Sequence, residues 1–198
     1  MFDWVVSTID SWGYFGVMML MFAENVFPPI PSELIMPLAG FLAGRGDMNL
    51  WLTILAGTVG SVAGTTVWYF VGQAIGEARL KRFAARHGRI LTLSPSDIDN
   101  ASGWFARHGA AAVFFGRMIP AIRTLISIPA GLAAMPFWRF LAYTTVGSAI
   151  WTALLTVAGL VLHENYTHVE SYVDPVSKLV VVAAIALYFW RLIRWKPH

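Results

Sequence analysis

Residues Glu24 to Gly44 read ENVFPPIPSELIMPLAGFLAG, and this stretch decides the fold. It lies in an apolar run from Gly13 to Gly44, yet it contains Pro28, Pro29, Pro31 and Pro37 together with Glu24 and Glu33. A straight lipid-facing helix cannot lose so many amide donors, because nothing in hydrocarbon re-satisfies the freed carbonyls. Broken backbone at membrane depth survives only when it is buried in protein or lines a wet cavity. We therefore read 13–44 as a re-entrant hairpin: one half-helix in, a proline-rich turn near mid-depth, and a second half-helix out. Ser32 is placed to cap the returning arm.

A second stretch has the same character. Residues 110–135 read AAAVFFGRMIPAIRTLISIPAGLAAM, broken by Pro120 and Pro129 and carrying Arg117 and Arg123. It is read as a second re-entrant hairpin, with Thr124 as the cap of its return arm. Between and after the hairpins lie unbroken runs. Segments 50–72 and 140–162 each give about 34 Å of helix at ~1.5 Å per residue, enough for a hydrocarbon core of about 30 Å. A third span is expected at 176–193, with Lys178 and Arg191 near its ends, where their stems reach the headgroups. Residues 1–12 alternate Phe2, Trp4, Val5, Ile9 and Trp12 with polar residues, as a helix lying in the interface does. They lack the positive start of a cleavable signal.

The composition of the 198 residues agrees. Hydrophobic residues make up 57% and charged residues 13%, far from a water-soluble domain. The absence of cysteine excludes disulfides, thiolate nucleophiles and thiolate metal sites. The net charge of +3 is small and sits beside long apolar runs, so it is read as membrane-orientation charge, and no nucleic-acid partner is expected.

The two halves repeat. At an offset of 87, identities fall at Met48/Met135, Trp51/Trp138, Thr58/Thr145, Val59/Val146, Gly60/Gly147, Ser61/Ser148, Thr65/Thr152 and Gly72/Gly159. Upstream, Ala39-Gly40 answers Ala130-Gly131, and Glu24 falls near Arg117. Basic residues cluster at 73–108 (Arg79, Lys81, Arg82, Arg86, Arg89, Arg107), at Arg139 and in the tail (Arg191, Arg194, Lys196). The positive-inside rule makes that side cytoplasmic, the C-terminus included. Each repeat then crosses the membrane once, so the halves have opposite topology. The expected architecture is all-α: an inverted repeat of re-entrant hairpin plus transmembrane helix, with one extra C-terminal helix, in a single membrane domain. Segment 77–108 is expected to form cytoplasmic surface helices, with Ser94-Pro95-Ser96-Asp97 as a capping box.

Glu24, Glu33, Arg117 and Arg123 carry the functional reading. An ionisable group at the bilayer centre costs about 2.5–3.5 kcal/mol on insertion scales, so four must face one another or water. Two Glu–Arg pairs could simply glue the hairpins. Hydrophobic replacements do that at least as well, and intramembrane charge by default marks a pathway or a binding site. Two guanidinium forks converging across Pro120 suit a phosphate, and half-helix N-termini add positive dipole ends. Carboxylates beside them can gain and lose protons. The chemistry is anion binding with proton coupling.

On these residues the sequence resembles the DedA family of bacterial inner-membrane proteins, which is related to the VTT-domain lipid scramblases of eukaryotes. The resemblance rests on the Glu24–Gly44 motif and on FARHGAAAVFFGRMIPAIRTLISIPAGLAAMPFWRF from Phe105 to Phe140. It implies that Glu24, Glu33, Arg117 and Arg123 are the functional charges and that the chain returns undecaprenyl phosphate across the cytoplasmic membrane using the proton motive force; in that reading Arg117 and Arg123 are expected to bind the substrate phosphate and Glu24 and Glu33 to exchange protons. Other readings stay open: a small-ion/proton antiporter, a less selective phospholipid scramblase, a scaffold, and an intramembrane lipid phosphatase. The phosphatase lacks an evident nucleophile–base pair at membrane depth. No metal or cofactor is expected. The expected partners are the lipid bilayer, undecaprenyl phosphate or another anionic lipid, and protons; a homo-oligomer is left open. The small-xxx-small pairs Gly40/Gly44, Gly60/Gly64 and Gly72/Gly76 read as close helix packing.

Overall fold

The computed structural model describes residues 2–27, 32–91, 95–120 and 122–161. Pro28, Pro29, Pro31, Ser94 and the expected span at 176–193 lie outside the described residues. Within them the chain is helical: α1 (Phe2–Val26), α2 (Ser32–Gly44), α3 (Leu50–Ile75), α4 (Glu77–Leu91), α5 (Pro95–Gly116), α6 (Ser127–Leu132) and α7 (Phe137–Val161). Among the described residues three stretches are long and apolar enough to cross a membrane: Trp4–Val26, Leu50–Ile75 and Phe137–Val161.

The first of these is not one straight rod. Gly13 takes φ 54 and ψ −131, a conformation that glycine adopts at little steric cost. The chain folds back there so sharply that a Cβ on Gly16 would come within 2.6 Å of the Thr8 carbonyl oxygen, eight residues upstream. Two helical arms result, and both feed one core, with Val5 and Ile9 buried alongside Val17, Leu20 and Met21. The break falls where the sequence separates 1–12 from 13–44.

α3 begins at Asn49, whose side chain accepts from the amides of Trp51 and Leu52 at 3.0 and 3.2 Å. It ends at Gly76, whose positive φ of 68 turns the chain into α4. α5 departs from the expected division at 108–110. It starts with Pro95 at its first position and continues unbroken to Gly116, so the segments expected as a surface helix and as a hairpin arm are one element. Gly109 does not stop it, because that residue packs under the Phe105 ring instead of terminating the ladder.

Packing between elements occurs twice in matching form. α1 lies on α3 and α5 lies on α7, while α2 packs across onto α7 and α6 across onto α3. Gly40 of α2 sits against the Thr156 carbonyl of α7, and Gly159 of α7 against the Pro37 carbonyl of α2. Gly131 of α6 sits against the Tyr69 carbonyl of α3, and Gly72 of α3 against the Ile128 carbonyl of α6. Any side chain at these four glycines would strike backbone, so small residues permit the approach. α3 and α7 themselves meet through buried hydroxyls, Thr58 with Thr152 at 2.9 Å and Ser61 with Ser148 at 3.4 Å.

Candidate functional site

The four charges of the two apolar stretches lie at helix ends or in the connection between α5 and α6. Glu24 is in the last turn of α1 and Glu33 in the first turn of α2. Arg117 directly follows α5, and Arg123 lies within the irregular connection of residues 117–126 that leads to α6. That connection is held by local bonds, Arg123 N to Ile119 O at 3.0 Å and Ile126 N to Ile122 O at 2.9 Å. Pro120 sits in it, where no continuous helical ladder needs its missing donor.

The connection differs from the expected turn in two details. Ile126 is the N-cap of α6 and no side chain caps it, so Thr124 does not play that part; its carbonyl accepts from the Ser127 amide at 3.3 Å. Pro129 is inside the first turn of α6, where a missing amide leaves no intrahelical bond unmade. Ser32 is the first residue of α2. Its buried Oγ has no partner among the described residues, so it makes no capping bond there.

Glu24 and Arg123 meet directly. Arg123 Nη2 donates to Glu24 Oε1 in an ion pair that joins the end of α1 to the α5–α6 connection. The two residues are only 5% and 4% exposed, so the pair is shielded from water. Glu24 Oε2 is also occupied, accepting from Asn25 Nδ2 at 2.6 Å.

Arg117 is different. It is 2% exposed and makes no ion pair among the described residues. Its Nη2 reaches Ser127 Oγ at 3.4 Å, a weak contact, and its buried Nε has no partner. The stem is threaded over α7 at Gly147, where a Cβ would lie 2.9 Å from that of Arg117. Glu33 is half-buried, and its Oε1 is buried and unpartnered among the described residues. Arg117 and Glu33 both act electrostatically on Glu24, and the two guanidiniums act on each other. The structure thus gathers the four charges but forms one ion pair from them, not two.

Several participants were not legible as site residues. Asn25 and Ser127 touch the charges directly, and Trp68 Nε1 donates to the Asn25 carbonyl at 3.0 Å. A second cluster of charge lies outside the apolar spans. Lys81 of α4 bridges Glu77 at 2.5 Å and Asp99 of α5, tying the two helices together. The Glu77 carboxyl is held below its ordinary value by hydrogen bonds from Lys81 and Ser102, while Asp99 and Glu77 raise that of Lys81.

Comparison with known proteins places this arrangement. The family model described as the VTT domain matches residues 30–161. A protein of Lactococcus lactis called "Alkaline phosphatase-like protein" is 42% identical over 179 residues, 90% of this chain and 84% of that protein. Two proteins called "Undecaprenyl phosphate transporter A" follow. That of Staphylococcus aureus is 31% identical over 96% of this chain and 94% of its own length. That of Bacillus subtilis is 33% identical over 93% of each. No solved structure matches the chain. The matching domain takes in Glu33, Arg117 and Arg123, and the relatives run along nearly the whole sequence, so this chain belongs to the VTT-domain family of membrane proteins, the DedA group.

Proposed function

We propose that the chain carries the phosphate headgroup of an anionic lipid, undecaprenyl phosphate, across the bacterial cytoplasmic membrane, and that protons taken up by Glu24 and Glu33 drive the cycle. The observation that carries this reading is Arg117, a buried guanidinium with no carboxylate partner and an unused Nε, next to a second arginine held by one carboxylate. A buried cation without an anion is costly, and a phosphate oxygen supplies what is missing. Two relatives bearing the name of an undecaprenyl phosphate transporter support the choice of lipid.

The cycle follows from charge balance. With all four groups ionised the site is neutral, two positive against two negative. A phosphate monoanion entering alone would leave an uncompensated charge, at about 2.5–3.5 kcal/mol at the bilayer centre. Entry with one proton removes that cost. Protonation of Glu24 weakens its hold on Arg123, which then turns to the phosphate beside Arg117. Loss of the proton lets the carboxylate reclaim Arg123 and expel the headgroup. The prenyl tail stays in lipid throughout.

The same proposal includes the membrane disposition. α1–α2 and α5–α6 are re-entrant hairpins entering from opposite sides, α3 and α7 are the spanning helices, and the C-terminus is cytoplasmic. In its support, Ser61 and Ser148, equivalent positions at the offset of 87, touch each other near the middle of α3 and α7. Equivalent residues meet only at a twofold axis, and an axis at that depth is what an inverted repeat requires. The reciprocal glycine contacts obey the same symmetry.

The test is purified protein in liposomes with fluorescent polyprenyl phosphate, read by leaflet-selective quenching with and without a pH gradient. Flipping accelerated by the gradient is expected. Movement of small ions with no lipid movement would favour an antiporter. The relative named as phosphatase-like keeps one further reading in play, and release of inorganic phosphate from the lipid would establish it.

A further inference from the structure

The two oxygens of the Glu24 carboxylate have neighbours of different kinds. Oε1 accepts from Arg123, and Oε2 accepts from Asn25 Nδ2 at 2.6 Å. The same amide nitrogen donates to Met21 O at 2.8 Å, so both of its hydrogens are used. The other end of the amide is idle: Asn25 Oδ1 is buried and has no partner among the described residues. Asn25 is itself 0% exposed, and α3 fixes its backbone. Trp68 Nε1 holds its carbonyl, and Gly64 leaves room for its Cβ, which would stand 2.7 Å from a Cβ there. Buried polar atoms are nearly always partnered, so an empty acceptor beside a carboxylate calls for an explanation.

That acceptor has one evident chemical use. A proton arriving at Glu24 goes to Oε2, since Oε1 faces the guanidinium. The new acid O–H and the amide N–H would then oppose each other as two donors. Half a turn of the amide about χ2 gives up the Nδ2 bond to Met21 O and brings Oδ1 toward the place where Nδ2 stood, and the acid donates to it. From α2, Glu33 lies within electrostatic reach of Glu24, as does Arg117 from the α5–α6 connection, and Arg123 is paired with it. The arginines can only donate, and Glu33 brings like charge when ionised. On α3 the Trp68 indole is already taken by the Asn25 carbonyl.

We propose that Asn25 is the positioning residue of the Glu24 proton cycle, its Nδ2 holding the carboxylate and its Oδ1 receiving the acid. This rests on the reading of Glu24 as the proton-exchanging group. Infrared difference titration of the full chain in liposomes reads the protonated-carboxyl band that Glu24→Gln removes. Asn25→Ala deletes a hydrogen bond to an ionised group, stronger than the one it deletes to the acid, so the midpoint of the band should rise by about one pH unit. Asn25→Asp keeps the side-chain shape and places like charge beside Glu24, so it should raise the midpoint as well. It carries the test should the alanine variant fail to fold.

Flipping of fluorescent polyprenyl phosphate in the same liposomes should shift its pH profile in parallel. An unmoved midpoint in a folded variant overturns the role of Asn25, and normal flipping beside it would leave the transport reading standing. A moved midpoint in liposomes where even the wild type flips no lipid would sink the transport reading and keep Asn25 coupled to Glu24.

Discussion

Arg123→Gln is the most informative perturbation, because it separates what the ion pair does for the fold from what it does for transport. Glu24 is 5% exposed, and with Arg123 gone its remaining donor is Asn25 Nδ2. Removing one member of a buried pair costs about 3–5 kcal/mol, because the other charge is left uncompensated. Against a domain stability of about 5–15 kcal/mol that is a large loss. The chain has an escape: Glu24 can take up a proton, so the loss should be largest at alkaline pH and shrink as the pH falls. Glu24→Gln combined with Arg123→Gln places two neutral amides in contact, and the double variant should lose much less than the sum of the singles. The assays are unfolding midpoints in mild detergent at two pH values and headgroup flipping in liposomes. The double variant should regain stability and not flip. A stable Arg123→Gln that flips normally would refute the reasoning, and a double variant that flips normally would reduce the pair to glue.

Other outcomes follow from particular contacts. Tyr69 donates to the Met135 carbonyl at 2.5 Å while stacked on Phe140, so Tyr69→Phe should cost about 1–3 kcal/mol by stranding that buried acceptor, read as a lowered unfolding midpoint. Gly159→Val drives a side chain into the Pro37 backbone and should abolish the folded, monodisperse protein. Gly103→Ala, in open space on α5, should raise stability by about 0.5–1 kcal/mol. The tether between α4 and α5 is pH-sensitive with a definite sign. Because the Glu77 carboxyl is depressed from 4.5, its contribution is present above that value and is lost as the pH falls through the folded value. The raised Lys81 sets the opposite bound, its contribution lost as the pH climbs past 10.5. Spin labels on cysteines introduced at Ala78 and Asn100 should report separation at strongly acidic pH and none at neutral pH.

How much the sequence disclosed depends on whether a feature is a matter of composition or of geometry. The prolines and charges of the second apolar stretch pointed to the irregular connection between α5 and α6, and the charges of both stretches pointed to the residues that meet as Glu24 and Arg123. The repeated glycines foretold close packing, and the structure turns Gly72, Gly159, Gly40 and Gly131 into reciprocal backbone contacts. The arm boundary at Gly13 was legible from the amphipathic pattern before it. By contrast, the change in polarity near 108–110 suggested an end that α5 does not have, because helical hydrogen bonding ignores hydropathy. Thr124 looked like a cap, but the connection keeps turning until Ile126 and the helix starts later. Asn25 stood next to Glu24 in plain view. Its part depends on which way a side chain points at the end of a helix, and no spacing rule gives that. The hydroxyls Thr144, Ser148, Thr152 and Thr156 recur every four residues, a signal that could have identified the buried face of α7.

The central claim is that buried arginines hold a lipid phosphate inside the membrane. Dipolar recoupling between 15N-arginine side chains and the 31P of undecaprenyl phosphate, in bilayers containing the full chain, tests this most directly. A short nitrogen–phosphorus contact is expected that weakens in Arg117→Lys, disappears when Arg123→Lys is added, and is kept in Arg82→Lys. A contact that survives both replacements together and vanishes with Arg82→Lys would place the lipid on the protein's surface and contradict the claim.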